Sequence, residues 1–425
     1  MDYGLLIAQV ALALILFNAI LGLISYLILL ERKTAAWMQD RVGPNRVGPK
    51  GLLQPISDGV KFILKEEFIP KNADKALFIL APIAILTPAM CGFAVIPWGG
   101  ELAANSSVLS YYKFAANWPV MVSNPDIGVL FVMAMAGLAT YGVVLGGYAS
   151  GSKYSFLGGL RATAQMLSYE VPMALSLLAA ALFTGTLNLG TLTAEQAHYS
   201  FGFIPHWNVF IHPIAFMVFV TTIFAEANRL PFDLAECETE LVGGYHTEYS
   251  SMKFALLFLA EYASMITGSA VAVAVFLGGW HLPWLDLAIY GGPQPLVGGW
   301  GAVILKMAVF GAKVVSFLFF YMAIRWTLPR FRFDQLMDLA WRGMIPLALG
   351  AFLITAVGVF LRTQIGMNHA GVWICIANVI YFIGTLTIVG MMPASTTNRR
   401  ILVPNSRFNP QLNRPTPAAI GATVA

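Results

Sequence analysis

Six acidic residues cluster in one short segment of this chain, between residues 226 and 248. The segment holds six of the 21 Asp and Glu residues but a single arginine, Arg229. Apolar residues such as Phe232 are interspersed with these carboxylates. Carboxylates held close together where water is scarce cannot all ionise, so their proton occupancy becomes adjustable. The segment therefore predicts a proton path, formed by Glu226, Asp233, Glu236, Glu238, Glu240 and Glu248.

The spacing within this segment is typical of a helical face. Asp233, Glu236 and Glu240 are separated by three and four residues, so they share one face if this part is helical. Glu238 then lies on the opposite face. Like charges so placed repel one another, which favours shared protons. The alternative is a solvated acidic face, but the neighbouring apolar residues also need burial.

Ionisable residues also lie inside apolar spans, where charge is costly and usually faces protein or water. Glu170 precedes Pro172, which we expect to disrupt the local helix and free backbone groups for a hydrated cavity. Glu261 and Lys313 lie within later spans. For all three we favour a functional role over paired structural charges, because nothing else in the sequence compensates for their burial. Lys306, by contrast, fits a side chain that snorkels from a helix end.

Two loops carry further chemistry. Arginines alternate with aromatic residues at 324–337, a pattern that can anchor lipid headgroups, bind an acidic partner or line a cavity for an aromatic ring. The spacing leaves these three possibilities open. Residues 52–65 form an amphipathic pattern that predicts a short helix lying flat at the membrane surface. That helix is either a topological anchor or a lip for a hydrophobic molecule that enters from the bilayer.

The elements that must position these residues are membrane helices. The chain is 58% hydrophobic and 11% charged, whereas soluble domains carry roughly 25% charge. Recurrent apolar runs of about 18 or more residues predict an all-α, polytopic integral membrane protein with about nine transmembrane helices. We expect the first to be retained rather than cleaved as a signal peptide. The nine lie near residues 4–30, 76–97, 127–149, 161–186, 207–227, 254–279, 299–324, 344–361 and 371–392.

The distribution of basic residues predicts the topology. Of the 25 Lys and Arg residues, 21 lie in alternate loops and in the tail, which places the N-terminus outside and the C-terminus in the cytoplasm. The chain then divides into a transmembrane bundle, 1–392, and a polar C-terminal tail, 393–425. The cytoplasmic loops of the bundle are 31–75, 228–253 and 325–343.

The sequence also argues against some classes of site. The three cysteines are isolated from one another, which argues against a zinc or iron–sulfur site. No glycine-rich motif opens a helix after a strand, so a nucleotide site within this chain is not expected. The excess of positive charge reflects topology and does not indicate nucleic-acid binding.

Several long motifs occur in order between about residues 5 and 360. Together they resemble the quinone-channel membrane subunit of respiratory complex I, the proton-translocating NADH:quinone oxidoreductase. The resemblance does not cover the long outside loops, the final span or the tail beyond about residue 365. The matching segments are Glu31-Arg32-Lys33, residues 41–49, 51–55, 168–172, 225–229, 231–236, 240–242 and 260–262, and Pro329-Arg330-Phe331-Arg332 leading into residues 334–337.

The resemblance implies a quinone tunnel and a charge relay. The relay would link the quinone cavity to the membrane and continue towards antiporter-like subunits. Ubiquinone or menaquinone would be the substrate, with no metal, flavin or iron–sulfur cluster in this chain. The residues implied to line the tunnel or its mouth are Glu31, Arg32, Arg41, Arg46, Phe232, Arg325 and Arg330. Those implied in the relay are Asp233, Glu236, Glu238, Glu240 and Glu248, followed by Glu170, Glu226 and Glu261.

The resemblance also implies partners and a location. The chain would assemble with peripheral-arm subunits that carry the terminal iron–sulfur cluster and with small and antiporter-like membrane subunits, in a bacterial inner membrane. One alternative is the membrane anchor of an energy-converting hydrogenase-type complex, which the full acidic segment disfavours. The other is a secondary proton-coupled transporter, which should show inverted repeats that the sequence lacks.

Overall fold

The computed structural model describes residues 3–103, 118–200, 204–233, 243–283, 297–366 and 370–391. The chain divides into two compact units, Met1–Phe382 and Ile383–Ala425. Every functional residue discussed below belongs to the first unit. In the second, the structure describes the end of the last helix.

The described part is built almost entirely of helices. The α-helices are α1 (Tyr3–Met38), α2 (Gln54–Leu64), α3 (Lys75–Cys91), α4 (Gly128–Ala149), α5 (Lys153–Thr184), α6 (Leu189–Glu195), α7 (Asn208–Ile211), α8 (Pro213–Glu226), α9 (Ser251–Phe276), α10 (Trp300–Thr327), α11 (Phe333–Asp338), α12 (Ile345–Ile365) and α13 (Ala370–Met391). A π-helix, Leu339–Met344, joins α11 to α12, and short 3₁₀ turns occupy Pro49–Gly51, Gly92–Val95 and Gly244–His246.

The described residues also include five two-residue strands. Strand β1 (Glu101–Leu102) lies between β2 (Trp118–Pro119), its antiparallel neighbour, and β5 (Val297–Gly298), its parallel neighbour. Strands β3 (Tyr199–Ser200) and β4 (Ile204–Pro205) pair antiparallel. All five lie in the segments that the sequence predicts as outside loops.

Eight described helices are long and apolar enough to cross a membrane, which confirms the prediction of an all-α polytopic membrane protein. The fifth predicted span, 207–227, differs. It is divided into α7 and the 14-residue α8, which is roughly 21 Å long and so shorter than a bilayer core of about 30 Å. The break falls at His212 (φ −123°, ψ 62°), because Pro213 disfavours helical geometry in the residue before it. The orientation of the termini stays a prediction.

Helix α5 corrects one sequence-based expectation. It runs without interruption from Lys153 to Thr184 and contains Pro172 in its interior, so the expected disruption of the helix is wrong. Pro172 lacks an N–H, and the carbonyl of Ser168 therefore loses its partner four residues later. The eighth span is also longer than expected, since the π-helix extends it to Phe333–Gln364.

Helices α5 and α9 form the centre of the bundle. Every residue of α9 from Ser269 to Phe276 is buried, and its small side chains allow close helix approach. Glycines on α4 bring α5 equally close: a Cβ at Gly147 would lie 2.9 Å from the Ser155 carbonyl oxygen. This packing fixes α5 and α9, which carry Glu170 and Glu261.

Candidate functional site

A buried group of charges lies where α1, α9, α10 and the loop after α8 meet. Glu31, which is 6% exposed, pairs through Oε1 with Arg229 Nη1 at 3.1 Å and with Arg325 Nη1. Its Oε2 accepts a hydrogen bond of 2.5 Å from the Tyr262 hydroxyl. Arg229 Nε pairs with Glu261, and Arg229 Cζ lies 4.3 Å from the centroid of the Tyr262 ring. These five residues are called the Glu31 cluster below.

The Glu31 cluster contains two carboxylates and two arginines, so its formal charge is balanced. Arg229 is 5% exposed. Burial alone would lower the pKa of its guanidinium, but Glu261, Tyr262 and Glu31 together raise that pKa well above its ordinary value. Arg229 therefore remains a cation, and each carboxylate has a cationic partner, as buried charges require.

The sequence separated residues that the structure brings together. It placed Glu31 and Arg325 in a tunnel wall and Glu261 in a relay, whereas all three belong to one cluster. It missed Arg229 and Tyr262 as site residues. A signal for Arg229 was available, since one arginine among six acidic residues is the obvious counter-charge. Tyr262 had no signal beyond its place beside Glu261.

The start of the acidic segment is folded into the protein. Phe232 is 3% exposed, with ring centroids 5.5 Å from Tyr169 and 5.6 Å from Phe331. Asp233 Oδ2 lies 3.3 Å from Arg330 Nη2. The amide of Gln165 on α5 donates to the Phe232 carbonyl at 2.9 Å. The loop therefore holds Asp233 against protein rather than in bulk water.

The other acidic residues of this segment differ in what can be described. Glu236, Glu238 and Glu240 lie outside the described residues. Glu248 is half-buried in the turn that precedes α9. The sequence prediction of a shared acidic face therefore stays a prediction.

Glu226 and Glu170 form a second acidic site. Both line one small cavity together with Thr140 and Tyr169, and the two carboxylates interact electrostatically. A Cβ at Gly137 on α4 would lie 2.8 Å from Glu170 Oε1, so this glycine makes room for the carboxylate. Glu226 also borders a second cavity of about 60 Å³, which is large enough to hold water.

An apolar cavity lies between α1, α2 and α9. Its volume is about 170 Å³, and its lining includes Ile28, Gly59, Phe62 and Phe258. The ring of Phe258 lies 5.0 Å from that of Tyr262, so the cavity reaches the wall of the Glu31 cluster.

Helix α2 forms one side of this cavity and bears out the predicted amphipathic helix. None of its residues is buried within the chain, and Ile63 and Leu64 are 66% and 79% exposed. Arg32 Nη1 on α1 pairs with Asp58 Oδ2 on α2 at 2.7 Å. Arg41 and Arg46 are exposed in the loop before α2, and the structure records no contact of either with the Glu31 cluster.

The opposite end of α9 carries another polar group, called the α9 cap below. Lys313 Nζ donates to three carbonyls, those of Leu277 and Gly279 at 2.8 Å and that of His281 at 2.6 Å. The side chains of Gln196 and Asn208 donate to the carbonyls of Ala274 at 2.8 Å and Val275 at 2.7 Å. The three carbonyl bonds of Lys313 compensate for its burial, which the sequence had no means to show. Its functional role stays a prediction.

Lys306 corrects the expectation of a snorkelling side chain. It lies on the same face of α10, one heptad before Lys313. It is 1% exposed and therefore buried within the protein. Its ammonium does not extend along the helix surface towards water, as snorkelling would require.

Comparison with known proteins gives one consistent family. The family model described as NADH dehydrogenase matches residues 10–356. A relative from Leptospira biflexa, named as the H subunit of NADH-quinone oxidoreductase, is 45% identical over 359 residues, which cover 84% of this chain and 96% of the relative. A relative from Cytophaga hutchinsonii, with the same name and the number 1, is 46% identical over 332 residues, covering 78% and 90%. One from Geobacter metallireducens, named in the same way, is 43% identical over 362 residues, covering 85% and 98%.

Proposed function

This chain belongs to the NADH dehydrogenase family, and from that premise we propose that it is the quinone-channel membrane subunit of an NADH-quinone oxidoreductase. In that complex it guides quinone to its reduction site and couples the reduction to proton translocation. The names of the relatives do not favour a hydrogenase anchor or a transporter. The chain contributes to the oxidoreductase as one component, and quinone is the substrate that it handles.

The observation that carries the proposal is the Glu31 cluster. Its charges are balanced by side-chain pairs, in which Glu31 and Glu261 share Arg229. Reduction of a quinone to a quinol consumes two electrons and two protons, so it changes the charge beside the site. Pairs between side chains can rearrange in response without breaking any helix. The cluster is therefore suited to convert a change of charge at the quinone site into a change in the protonation of more distant carboxylates.

The apolar cavity supports the quinone path. A lipid-soluble substrate has to leave the bilayer through an apolar opening, and α2 presents exposed Ile63 and Leu64 beside a cavity lined by apolar side chains. Phe258 connects the cavity wall to Tyr262. The residues proposed for the tunnel or its mouth are Glu31, Arg32, Arg41, Arg46, Phe232, Arg325 and Arg330.

The relay proposed for coupling starts at Asp233 and at the Glu31 cluster. Glu226 ends α8 three residues before Arg229 and shares a cavity with Glu170. We place Asp233, Glu236, Glu238, Glu240 and Glu248 on the quinone side, and Glu261, Glu226 and Glu170 on the side that leads to antiporter-like subunits. Peripheral subunits would cover the face that carries Arg41 and Arg46.

The multi-pass chain would lie in a bacterial inner membrane with its N-terminus outside. The bundle would then extend over 1–392, with the quinone-site loops in the cytoplasm and 393–425 as a polar tail. Ubiquinone or menaquinone would serve as the substrate.

The test uses membranes that contain the assembled complex. Glu31→Gln keeps the shape of the side chain but removes its charge, and we expect quinone reductase activity to fall at least tenfold. NADH oxidation by a water-soluble artificial acceptor, which needs no quinone, measures how much complex has assembled. Glu195→Gln is the matched control, because the side chain of Glu195 is 60% exposed. Wild-type quinone turnover in Glu31→Gln would overturn the assignment.

The relay is tested separately. In Glu170→Gln we expect slower NADH:quinone turnover and a smaller pH gradient across the vesicle membrane, while the artificial-acceptor activity stays at the wild-type value. Normal turnover with a normal gradient would remove Glu170 from the relay. That result would leave the quinone assignment of Glu31 intact.

A further inference from the structure

Two buried polar groups of complementary character, one on α10 and one in the Glu31 cluster, lack hydrogen-bond partners among the described residues. Tyr321 on α10 is 2% exposed, and its hydroxyl has no hydrogen-bond partner among the described residues. Arg229 Nη2 is a buried donor that likewise lacks a partner within the described ranges. A buried donor or acceptor without a partner is unfavourable, because it has lost its bonds to water and gained none in the protein, so such groups call for an explanation.

The position of Tyr321 explains why its hydroxyl is buried without a partner. Its ring stacks on Phe224 with the centroids 3.9 Å apart, and the backbone N–H of Arg229 donates to the Phe224 carbonyl at 3.3 Å. Glu226 lies between these two residues, at the end of α8. The charges of Glu226 and Arg229 both act on the Tyr321 hydroxyl. Tyr321 also lies one helical turn before Arg325, which pairs with Glu31, so the two side chains share one face of α10.

We propose that Tyr321 is a positioning residue that connects the Glu31 cluster to Glu226. When the side chains of the cluster rearrange, the Tyr321 hydroxyl oxygen accepts a hydrogen bond from Arg229 Nη2 and the hydroxyl hydrogen is donated to the Glu226 carboxylate. The inference rests on the proposed function and adds a residue to it. When Arg229 changes its pairing with Glu31 or Glu261, the acceptor strength of the Tyr321 oxygen changes. The hydrogen bond to Glu226 changes with it. No proton needs to leave Tyr321, because the phenol acts only through its dipole.

The chemistry of tyrosine suits this task. A hydroxyl both accepts and donates, so one atom can join a cation to an anion. Phenylalanine retains the ring that stacks on Phe224 but cannot form either hydrogen bond. Tyr321→Phe therefore removes the connection and leaves the packing in place.

The experiment compares Tyr321→Phe with wild type in membranes that contain the assembled complex. We expect kcat for NADH:quinone reduction to fall about fivefold to tenfold, since a hydrogen bond to a charged group is lost. The KM for quinone should stay within about twofold of wild type, because Tyr321 does not touch the substrate. Oxidation of NADH by the artificial acceptor should not change. Tyr381→Phe is the matched control, since its hydroxyl donates to the Pro346 carbonyl at 3.0 Å, away from the charged site.

A purely structural role is distinguished by a double-mutant cycle. If Tyr321 acts through Glu226, Tyr321→Phe should lower kcat much less in a Glu226→Asp background than in wild type, because the shortened carboxylate has already lost the contact. The inference is overturned if Tyr321→Phe has wild-type kcat, if assembly falls in parallel with turnover, or if the same fold loss recurs in Glu226→Asp. None of these outcomes bears on the quinone assignment, which Glu31→Gln tests.

Discussion

The two ends of α9 hold their buried charges in different ways. In the Glu31 cluster, Arg229 is bound to Glu31 and Glu261, and both of these pairs join one side chain to another. In the α9 cap, Lys313 binds only backbone carbonyls in the bonds described above. Carbonyls at a helix end neither titrate nor change rotamer, whereas carboxylates do both. One end of α9 can therefore be rearranged by a change in charge, and the other end keeps the helix in place.

Removal of Arg229 is expected to have the largest effect, because it tests whether the Glu31 cluster is needed for function. Arg229→Met leaves Glu31 and Glu261 without their shared cation, which we expect to be unfavourable by about 3–5 kcal/mol. Quinone reductase activity in isolated membranes should fall below a tenth of wild type. The matched control is Arg342→Met, because the Arg342 and Asp338 side chains are 73% and 54% exposed and such pairs contribute about 0–1 kcal/mol. Normal activity in Arg229→Met would show that the cluster is dispensable.

Substitution of Lys313 tests whether the α9 cap serves only to keep the helix in place. Lys313→Met removes three hydrogen bonds to carbonyls, and the amount of assembled complex should fall several-fold because about 1–2 kcal/mol already changes abundance by that much. Turnover per assembled complex should stay at the wild-type value. Immunoblots of native gels, combined with quinone reductase assays, separate the two quantities. A drop in specific turnover with full assembly would place Lys313 on the functional side.

A substitution at Gly137, the neighbour of Glu170, tests whether Glu170 belongs with the functional charges or with the structural ones. Gly137→Ala puts a methyl group 2.8 Å from the present position of Glu170 Oε1, so the carboxylate has to move. We expect NADH:quinone turnover to fall about threefold to tenfold, as misplacement of a group on the reaction path can do. Gly22→Ala on α1 is the control, since a Cβ there would meet nothing within 4 Å. Equal activity in both variants would mean that the position of Glu170 does not matter.

The smallest effect is expected where the charges are partly exposed. The side chains of Arg330 and Asp233 are 24% and 11% exposed. Arg330→Lys keeps the charge but loses the planar donor group, which weakens the pair by about 1 kcal/mol. The KM for quinone should rise about twofold to fivefold, measured against Arg332→Lys, a change at an exposed arginine in the same loop. An unchanged KM would separate Asp233 from the quinone site.

The sequence predicted the membrane spans well because apolar length alone defines them. It did not predict the shortness of α8, since the effect of Pro213 on His212 is local and does not alter the apolar count. It also identified the acidic segment and Glu170, whose residue types stand out against apolar neighbours. The direct pairing of Glu31 with Arg229 and Arg325 was not accessible, because residues from distant parts of the chain meet only through the tertiary packing of the helices.

The separation of these partners along the chain has a consequence for biogenesis. Arg229 is synthesised 198 residues after Glu31, and Arg325 is synthesised 294 residues after Glu31. At roughly 5–20 residues per second, Glu31 waits about 10–60 s for its counter-charges. A lone carboxylate is unfavourable in the hydrocarbon interior, so the nascent first helix has to keep Glu31 at the water boundary meanwhile. The bundle around the cluster therefore closes only after translation has passed residue 325.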